Sequence, residues 1–339
     1  MKNVLYVGNH LKNSQSNIGY SAVLGPLLEQ SGYAVRYTSR KTNKVLRLLE
    51  MLWTTFSTRK KTDIVLIDTY STQNFYYAVL VSRLCKILKL PYVPILHGGN
   101  LPHRLKHSPK LSKQLFEHAS VSVSPSLYLK ERFEAFGFRN VVYIPNVITL
   151  ENYAYSPKTF DFPKLLWVRS FSKIYNPTLA IEILHELRKR GSKANLTMVG
   201  PDADGSLAEV KAFADALDVE VTFTGKLAKS EWIALSKNYN VFINTTNYDN
   251  TPVSVIEAMA LGLPVVSTNV GGMPNLINNG VDGILVPPDD KVAMADAICA
   301  LFENPSHAAA LAVNARLKVE QFDWGKVRGL WDEVLRIKQ

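Results

Sequence analysis

Cysteine is nearly absent: two in 339 residues, Cys85 and Cys299. Two thiols exclude a disulfide framework and a cysteine-built zinc site, and they suit a reducing compartment, so a cytoplasmic location is expected. Long apolar runs are missing as well. No stretch approaches the ~20 residues that a bilayer-crossing helix needs. The first eight residues, Met1 to Gly8, read as a strand and lack the apolar core and cleavage site of a secretion signal. The seven histidines show no metal-ligand spacing. Acidic residues are scarce in one half only. Residues 1–158 hold 21 Lys+Arg against 8 Asp+Glu, whereas the remainder holds 18 against 21. A basic half beside a slightly acidic one points to an anionic partner: nucleic acid, an anionic membrane surface or a phosphorylated substrate. The nucleic-acid reading lacks interleaved aromatics or a known module and is set aside.

What is present is an ordinary globular balance, 47% hydrophobic and 20% charged, at a length that favours two domains. Short apolar runs alternate with helical patterns. Strands are expected at 4–7, 64–68, 92–97, 121–124 and 142–145, and in a second series at 165–168, 196–199, 221–224, 241–245, 265–268 and 284–286. Many are apolar on both faces, as strands between two helix layers must be. The alternation predicts α/β architecture with doubly wound parallel sheets. Pro177 opens a helix predicted to reach Arg190, with Gly191 ending it. Ser206 and Glu209 fit a capping box. The break is expected in the polar, proline-containing stretch 152–163. This gives an amino-terminal domain at 1–155 and a carboxy-terminal one at 160–322, with a last helix at 324–339 that can return to the first.

Polar residues cluster just after the expected strands, where open α/β sheets bind ligands. Two such sheets with facing carboxyl ends would enclose one cleft. The most informative stretch runs from Tyr248 to Thr268. Thr251 can cap a helix whose first residue is Pro252, making an anion site of its free N–H groups and positive dipole end. Glu257 lies two turns further on, placed to accept hydrogen bonds from a ribose, or else it is a surface glutamate. The loop from Gly8 to Tyr20 lacks Gly-x-Gly-x-x-Gly, which weighs against a nicotinamide cofactor. Asp202-Ala203-Asp204 has the form of a metal-binding Asp-x-Asp but is explained by a polar loop at a helix start.

Asp249 and Glu257 stand eight apart. They are followed by Gly262-Leu263-Pro264-Val265-Val266-Ser267-Thr268, Val270-Gly271-Gly272 and Gly283-Ile284-Leu285-Val286-Pro287. This pattern resembles the acidic-x7-Glu signature of the family 4 retaining glycosyltransferases. It covers most of 160–300, with a looser match through His97-Gly98 and Ile144-Pro145-Asn146. The chain is similar to bacterial capsule and surface-polysaccharide members. The resemblance implies the GT-B architecture, two doubly wound Rossmann-like domains facing across a cleft, the first on the acceptor side and the second holding the donor.

It further implies a sugar moved from a nucleotide-diphosphate sugar to a glycan or lipid-linked acceptor, without metal or cofactor. Glu257 would bind the ribose and Asp249, aspartate where relatives mostly have glutamate, the sugar hydroxyls. The backbone of Asn250, Thr251, Pro252 and Val253 would meet the diphosphate. Arg169 and Lys173, four apart where relatives show five, would stabilise the leaving diphosphate. His97 would face the donor sugar. Gly200, Gly225 and Lys226 would border the donor, and Asn17, Gly19, Gly98, Gly99 and Asn100 the acceptor or cleft loops. Rival readings are a phosphorylase or nucleotide-sugar epimerase of the same architecture, or a non-catalytic scaffold for membrane or polyanion.

Two basic surfaces complete the reading. Residues 40–61 carry seven Lys+Arg around Leu46, Leu48, Leu49, Met51, Leu52, Trp53 and Phe56, which suits either an interfacial membrane helix or a core-packing helix with a solvated face. Arg104, Lys106, His107, Lys110 and Lys113 could meet the phosphates of a lipid-linked acceptor.

Overall fold

The computed structural model describes residues 2–9, 19–97 and 99–337. The chain divides into two units, Met1–Val147 with Trp324–Gln339, and Ile148–Asp323. The division falls at Val147, ahead of the polar stretch 152–163, which lies inside the second unit.

In the first unit the strands are β1 (Asn3–Val7), β2 (Ala34–Thr38), β3 (Ile64–Thr69), β4 (Tyr92–Leu96), β5 (Ser122–Ser124) and β6 (Val141–Tyr143). All pair in parallel in the order β2-β1-β3-β4-β5-β6. The helices are α1 (Ser21–Gln30), α2 (Lys44–Thr58), α3 (Asn74–Leu88), α4 (Leu101–His107), α5 (Pro109–Phe116) and α6 (Leu127–Ala135). Strands β3 and β4 are buried along their whole length, which is why they read as unbroken apolar runs. Strand β2 was not among the expected strands. Its sequence, Ala-Val-Arg-Tyr-Thr, is a half-exposed edge and lacks that signal.

The second unit holds β7 (Lys164–Val168), β8 (Asn195–Val199), β9 (Thr222–Gly225), β10 (Val241–Asn244), β11 (Val265–Thr268) and β12 (Ile284–Val286). Their order, β12-β11-β10-β7-β8-β9, is parallel throughout. Counted within the unit this is the 3-2-1-4-5-6 arrangement of a doubly wound nucleotide-binding sheet. The helices are α7 (Pro177–Lys189), α8 (Ser206–Ala216), α9 (Lys229–Leu235), α10 (Val253–Ala260), α11 (Met273–Leu276), α12 (Lys291–Glu303) and α13 (Pro305–Val319).

Three helix starts or ends differ from expectation. Helix α7 stops at Lys189, one residue before Arg190. Helix α8 has Gly205 rather than Ser206 at its cap position, with no side-chain cap; Asp204 instead accepts from the Ser206 amide at 3.2 Å. Helix α10 begins at Val253, so Pro252 is the cap residue and Thr251 does not cap it.

The unit's two ends run together. The Ile148 amide donates to the Phe322 carbonyl at 3.1 Å, and the Leu150 amide to Asp323 Oδ1 at 2.9 Å. Helix α14 (Trp324–Arg336) follows and belongs to the first unit. Its Val327, Trp331, Val334 and Leu335 recur at i, i+4, i+7 and i+8, an apolar stripe, and join Val4, Tyr6, Leu66 and Val93 in one core cluster.

Candidate functional site

Ligands of doubly wound sheets bind at the carboxyl edge where the strand order reverses. In the second unit that point lies between β7 and β10. Arg169 directly follows β7, and Asp249 lies in the loop after β10. Their side chains meet in a salt bridge, Arg169 Nη2 to Asp249 Oδ2, with 12% and 14% of the side chains exposed. The guanidinium carbon also lies 4.1 Å from the Tyr175 ring centre. Burial pulls the Arg169 pKa below its ordinary value, and Tyr175 works against that shift.

The surrounding loops are tied to the strands. Trp167 Nε1, on β7, donates to Thr245 Oγ1 at 3.0 Å, and that hydroxyl donates to the Tyr175 carbonyl at 2.9 Å. The Asn247 amide donates to the Ile174 carbonyl at 2.9 Å. The turn carrying Tyr175 is thereby fixed against the loop carrying Asp249. A cation held this way can exchange its carboxylate for an incoming phosphate, because both anions offer two acceptor oxygens spaced to match the guanidinium fork.

Glu257 is buried in α10, which settles the surface-glutamate alternative. Its Oε1 accepts from Tyr153 Oη at 2.7 Å and pairs with Lys229 Nζ, at the start of α9. Burial raises the Tyr153 phenol, and the Glu257 charge adds to the rise. Arg316 fixes this arrangement from behind, donating from Nη1 to the carbonyls of Tyr153 and Ala260 at 2.6 and 2.7 Å. Tyr153 and Lys229 carry no sequence signal; only the fold brings them to Glu257.

Glycines explain how the loops come so close. A Cβ on Gly271 would lie 2.0 Å from the Asp249 carbonyl oxygen, and one on Gly272 2.1 Å from that of Asn250. The Gly272 amide donates to the Asp249 carbonyl at 3.0 Å. Gly200 abuts the Arg169 carbonyl, and its amide donates to the Gly225 carbonyl at 2.9 Å, which places Gly225 next to Gly200. Gly272→Ala should therefore push the Asp249–Asn250 segment outward. The expected cost is about 1–3 kcal/mol, as for other overpacked sites, read as a lower denaturant midpoint of the full chain.

Two observations bear on the expected diphosphate contacts. The Asn250 amide donates to Asp249 Oδ1 at 2.8 Å. Pro252 has no N–H to offer. Lys173 is not paired with Asp249 or Glu257; it is largely exposed, with Nζ 3.4 Å from Glu209. Asp204 binds the same turn, accepting from Ser172 Oγ at 2.8 Å and the Lys173 amide at 3.0 Å. Donors from Ser206, Ser172 and Lys173 pull its carboxyl down to about 2. The Asp-x-Asp motif thus serves loop structure, and among the described residues no cluster of His, Cys, Asp and Glu could hold a metal.

In the first unit the order reverses between β1 and β3, and a second cluster sits there. Asp68, near the end of β3, binds His97 Nε2 at 2.8 Å and accepts from Tyr6 Oη at 3.0 Å, both through Oδ1. The side chains of His97 and Asp68 are only 9% and 2% exposed. Tyr20 meets the imidazole edge-on at 5.0 Å and Tyr70 stacks on it at 5.1 Å. Burial, and then the Asp68 charge, raises the Tyr70 phenol. Gly8 is required beside Asp68, since a Cβ there would lie 2.3 Å from Oδ2. Asp68 is the residue that sequence reading missed. With Nε2 committed to it, Nδ1 is the ring atom left to meet a ligand.

Asp68→Asn should loosen the imidazole and lower kcat more than KM, and the ring's 15N shifts should report a changed tautomer balance. Unchanged shifts would remove Asp68 from this role.

Gly19 and Asn100 flank this cluster in sequence, Gly19 next to Tyr20 and Asn100 at the start of α4. Gly99 precedes it, and Asn17 and Gly98 lie outside the described residues. Arg104 of the second basic surface is committed to structure, donating from Nε to the Ser71 carbonyl at 2.7 Å.

With the geometry described, comparison with known proteins places the class. Residues 162–304, most of the second unit, match the family described as glycosyl transferases group 1. A 273-residue stretch is 25% identical to an amylovoran biosynthesis glycosyltransferase of Erwinia amylovora, covering 75% of this chain and 66% of that protein. Alignments to the first curated relatives span only 36–66% of their lengths. The whole fold is similar to a sucrose-phosphate synthase from Thermosynechococcus elongatus, with a TM-score of 0.84, 18% identity and coverage of 99% and 98% of the two chains. It is also similar to Anabaena HepE solved with UDP-glucose, with a TM-score of 0.79, 20% identity and 99% of each chain. The fold is that of the GT-B glycosyltransferases.

Proposed function

We propose that the protein transfers a sugar from a nucleoside-diphosphate sugar to a hydroxyl of a glycan or lipid-linked saccharide, in the synthesis of a bacterial surface polysaccharide. The observation that carries this reading is the partly buried Arg169–Asp249 pair at the β7/β10 reversal, beside a helix that buries Glu257. Support comes from the group 1 domain at 162–304, from a relative named for amylovoran synthesis and from a fold neighbour solved with UDP-glucose.

In this reading Arg169 turns from Asp249 to the diphosphate and stabilises the charge that develops as the bond from the anomeric carbon to phosphate breaks. Asp249, released, accepts hydroxyls of the sugar. Glu257 accepts from the ribose hydroxyls, taking them in place of Lys229. His97, held by Asp68, contacts the sugar. The acceptor oxygen forms the new bond on the face the phosphate leaves, and its proton passes to that phosphate, so configuration is retained. No side chain acts as a covalent nucleophile, and no metal is required.

Thermal unfolding against UDP, GDP, ADP, CMP and NAD, each with and without Mg²⁺, tests the donor site. A ligand at ~100 times its Kd adds roughly 2.7 kcal/mol to the native state. A rise with one nucleoside diphosphate, independent of Mg²⁺, is the expected result and names the base. A flat panel, or a rise only with NAD, would overturn the reading.

A further inference from the structure

The segment 40–61 left two readings open, and the faces of its helix bear on both. Helix α2 buries Arg47, Met51, Thr55 and Thr58, with Leu52 packed partly buried against the core. Arg47 is 8% exposed and is satisfied by the carbonyls of Lys41 and Thr42, at 2.8 and 3.0 Å, and by Asn9 Oδ1 at 3.1 Å. The opposite face carries Val45, Leu46, Leu49, Trp53 and Phe56, all exposed, with Trp53 at 68%. Positions 45, 49 and 53 are spaced by four, with 56 seven after 49, so these side chains form one stripe. Between α2 and α3 the stripe borders an open groove of about 510 Å3, lined by Leu49, Leu52, Trp53, Phe56 and Leu84. On α3, Ile87 stands 77% exposed. Such a face, apolar outward and polar inward, is the reverse of a helix folded for water.

We propose that this face docks the protein on a membrane carrying anionic phospholipid, with Trp53, Phe56 and Leu49 entering the headgroup boundary. Charge selects this occupant over others. The exposed cations Lys41, Lys44, Lys60, Lys61, Arg83 and Lys86 lie on or beside α2 and α3. The first unit holds 24 Lys+Arg against 9 Asp+Glu. A basic rim around a Trp/Phe/Leu stripe is complementary to an anionic lipid surface, whereas a second copy of the same face would meet its own charge. Arg59, 4.2 Å from the Phe56 ring centre, adds a cation at the rim of the stripe. Among the described residues no helix is long and apolar enough to cross a membrane, so the contact is peripheral. The proposal stands whatever the second unit transfers.

Cosedimentation of the full chain with vesicles of phosphatidylcholine, alone or with phosphatidylglycerol, is the test. Binding should require phosphatidylglycerol and weaken with salt. Trp53→Gln with Leu49→Gln should weaken it at least ~10-fold, since each side chain loses most of its apolar burial. Lys60→Ser with Lys61→Ser should weaken it by about fivefold per charge, the equivalent of about 1 kcal/mol each. All four positions lie at the surface, and the variants should keep the parent's unfolding temperature, which separates lost docking from lost folding. Equal sedimentation with neutral and anionic vesicles, or full binding by the Trp53/Leu49 variant, would overturn the proposal. So would a concentration-dependent dimer that only that variant abolishes, which would assign the face to a second copy.

Discussion

Glu257→Ala should sharply weaken transfer while leaving the second unit folded. A hydrogen bond to a charged acceptor contributes about 1.5–3 kcal/mol, and a ribose offers two hydroxyls. Losing both should lower kcat/KM by ~100-fold or more. The same substitution strips Tyr153 and Lys229 of their shared partner. Tyr153 is buried, so its orphaned hydroxyl should cost about 1–3 kcal/mol of stability. Lys229 remains nearly half exposed and finds water. Tyr153→Phe separates the two effects: it should lower stability by about 1 kcal/mol with a much smaller loss of transfer. Steady-state kinetics beside chemical denaturation read both. Full transfer by Glu257→Ala would remove Glu257 from the site.

Arg169→Ala should be as severe, for a different reason. Removing one donor aimed at developing negative charge typically slows a reaction ~10²–10³-fold. Removing one partner of a buried pair also leaves the other charge unpaired, at about 3–5 kcal/mol. Here the lower end applies, because 14% of the Asp249 side chain still meets solvent. The double variant Arg169→Met with Asp249→Asn removes both charges. It should regain most of the stability and none of the transfer. If stability and transfer returned together, the pair would be structural only.

The strands buried between helix layers announced themselves as apolar runs, and so did the alternation that makes two doubly wound sheets. Strand β2 did not, because an edge strand with one solvated face carries polar residues on it. The spacing of Asp249 and Glu257 singled out helix α10 and the loop before it, yet the partners of those carboxylates were out of reach. Arg169 lies 80 residues from Asp249, and Tyr153 104 from Glu257. Pairings of that separation are made by sheet order, and no local pattern encodes them. Asp68 is a similar case. Within the run Ile64–Thr69 it looks like the end of a core strand, and only the neighbouring strand β4 brings His97 to it. Thr251-Pro252 misled for a local reason. A proline favours the first helical turn, but Pro252 adopts an extended conformation and the helix starts one residue later. Leucine spacing in α2 was read correctly as amphipathic; which way the stripe faces depends on Arg47, whose three hydrogen-bond acceptors come from outside the helix.

The side-by-side entry and exit of the second unit, at Ile148 and Phe322–Asp323, make it a closed parenthesis in the middle of the first. During synthesis the ribosome must read the whole second unit before it delivers Trp331 and Leu335 to the core left waiting by β1 and β3. The first unit is therefore the last to be finished, although it is the first to emerge, and a chain ending at Asp323 should expose its apolar sheet face. The inserted unit has the opposite standing. Its ends already touch, so evolution can exchange it like a cassette while the host that carries Asp68 and His97 stays in place.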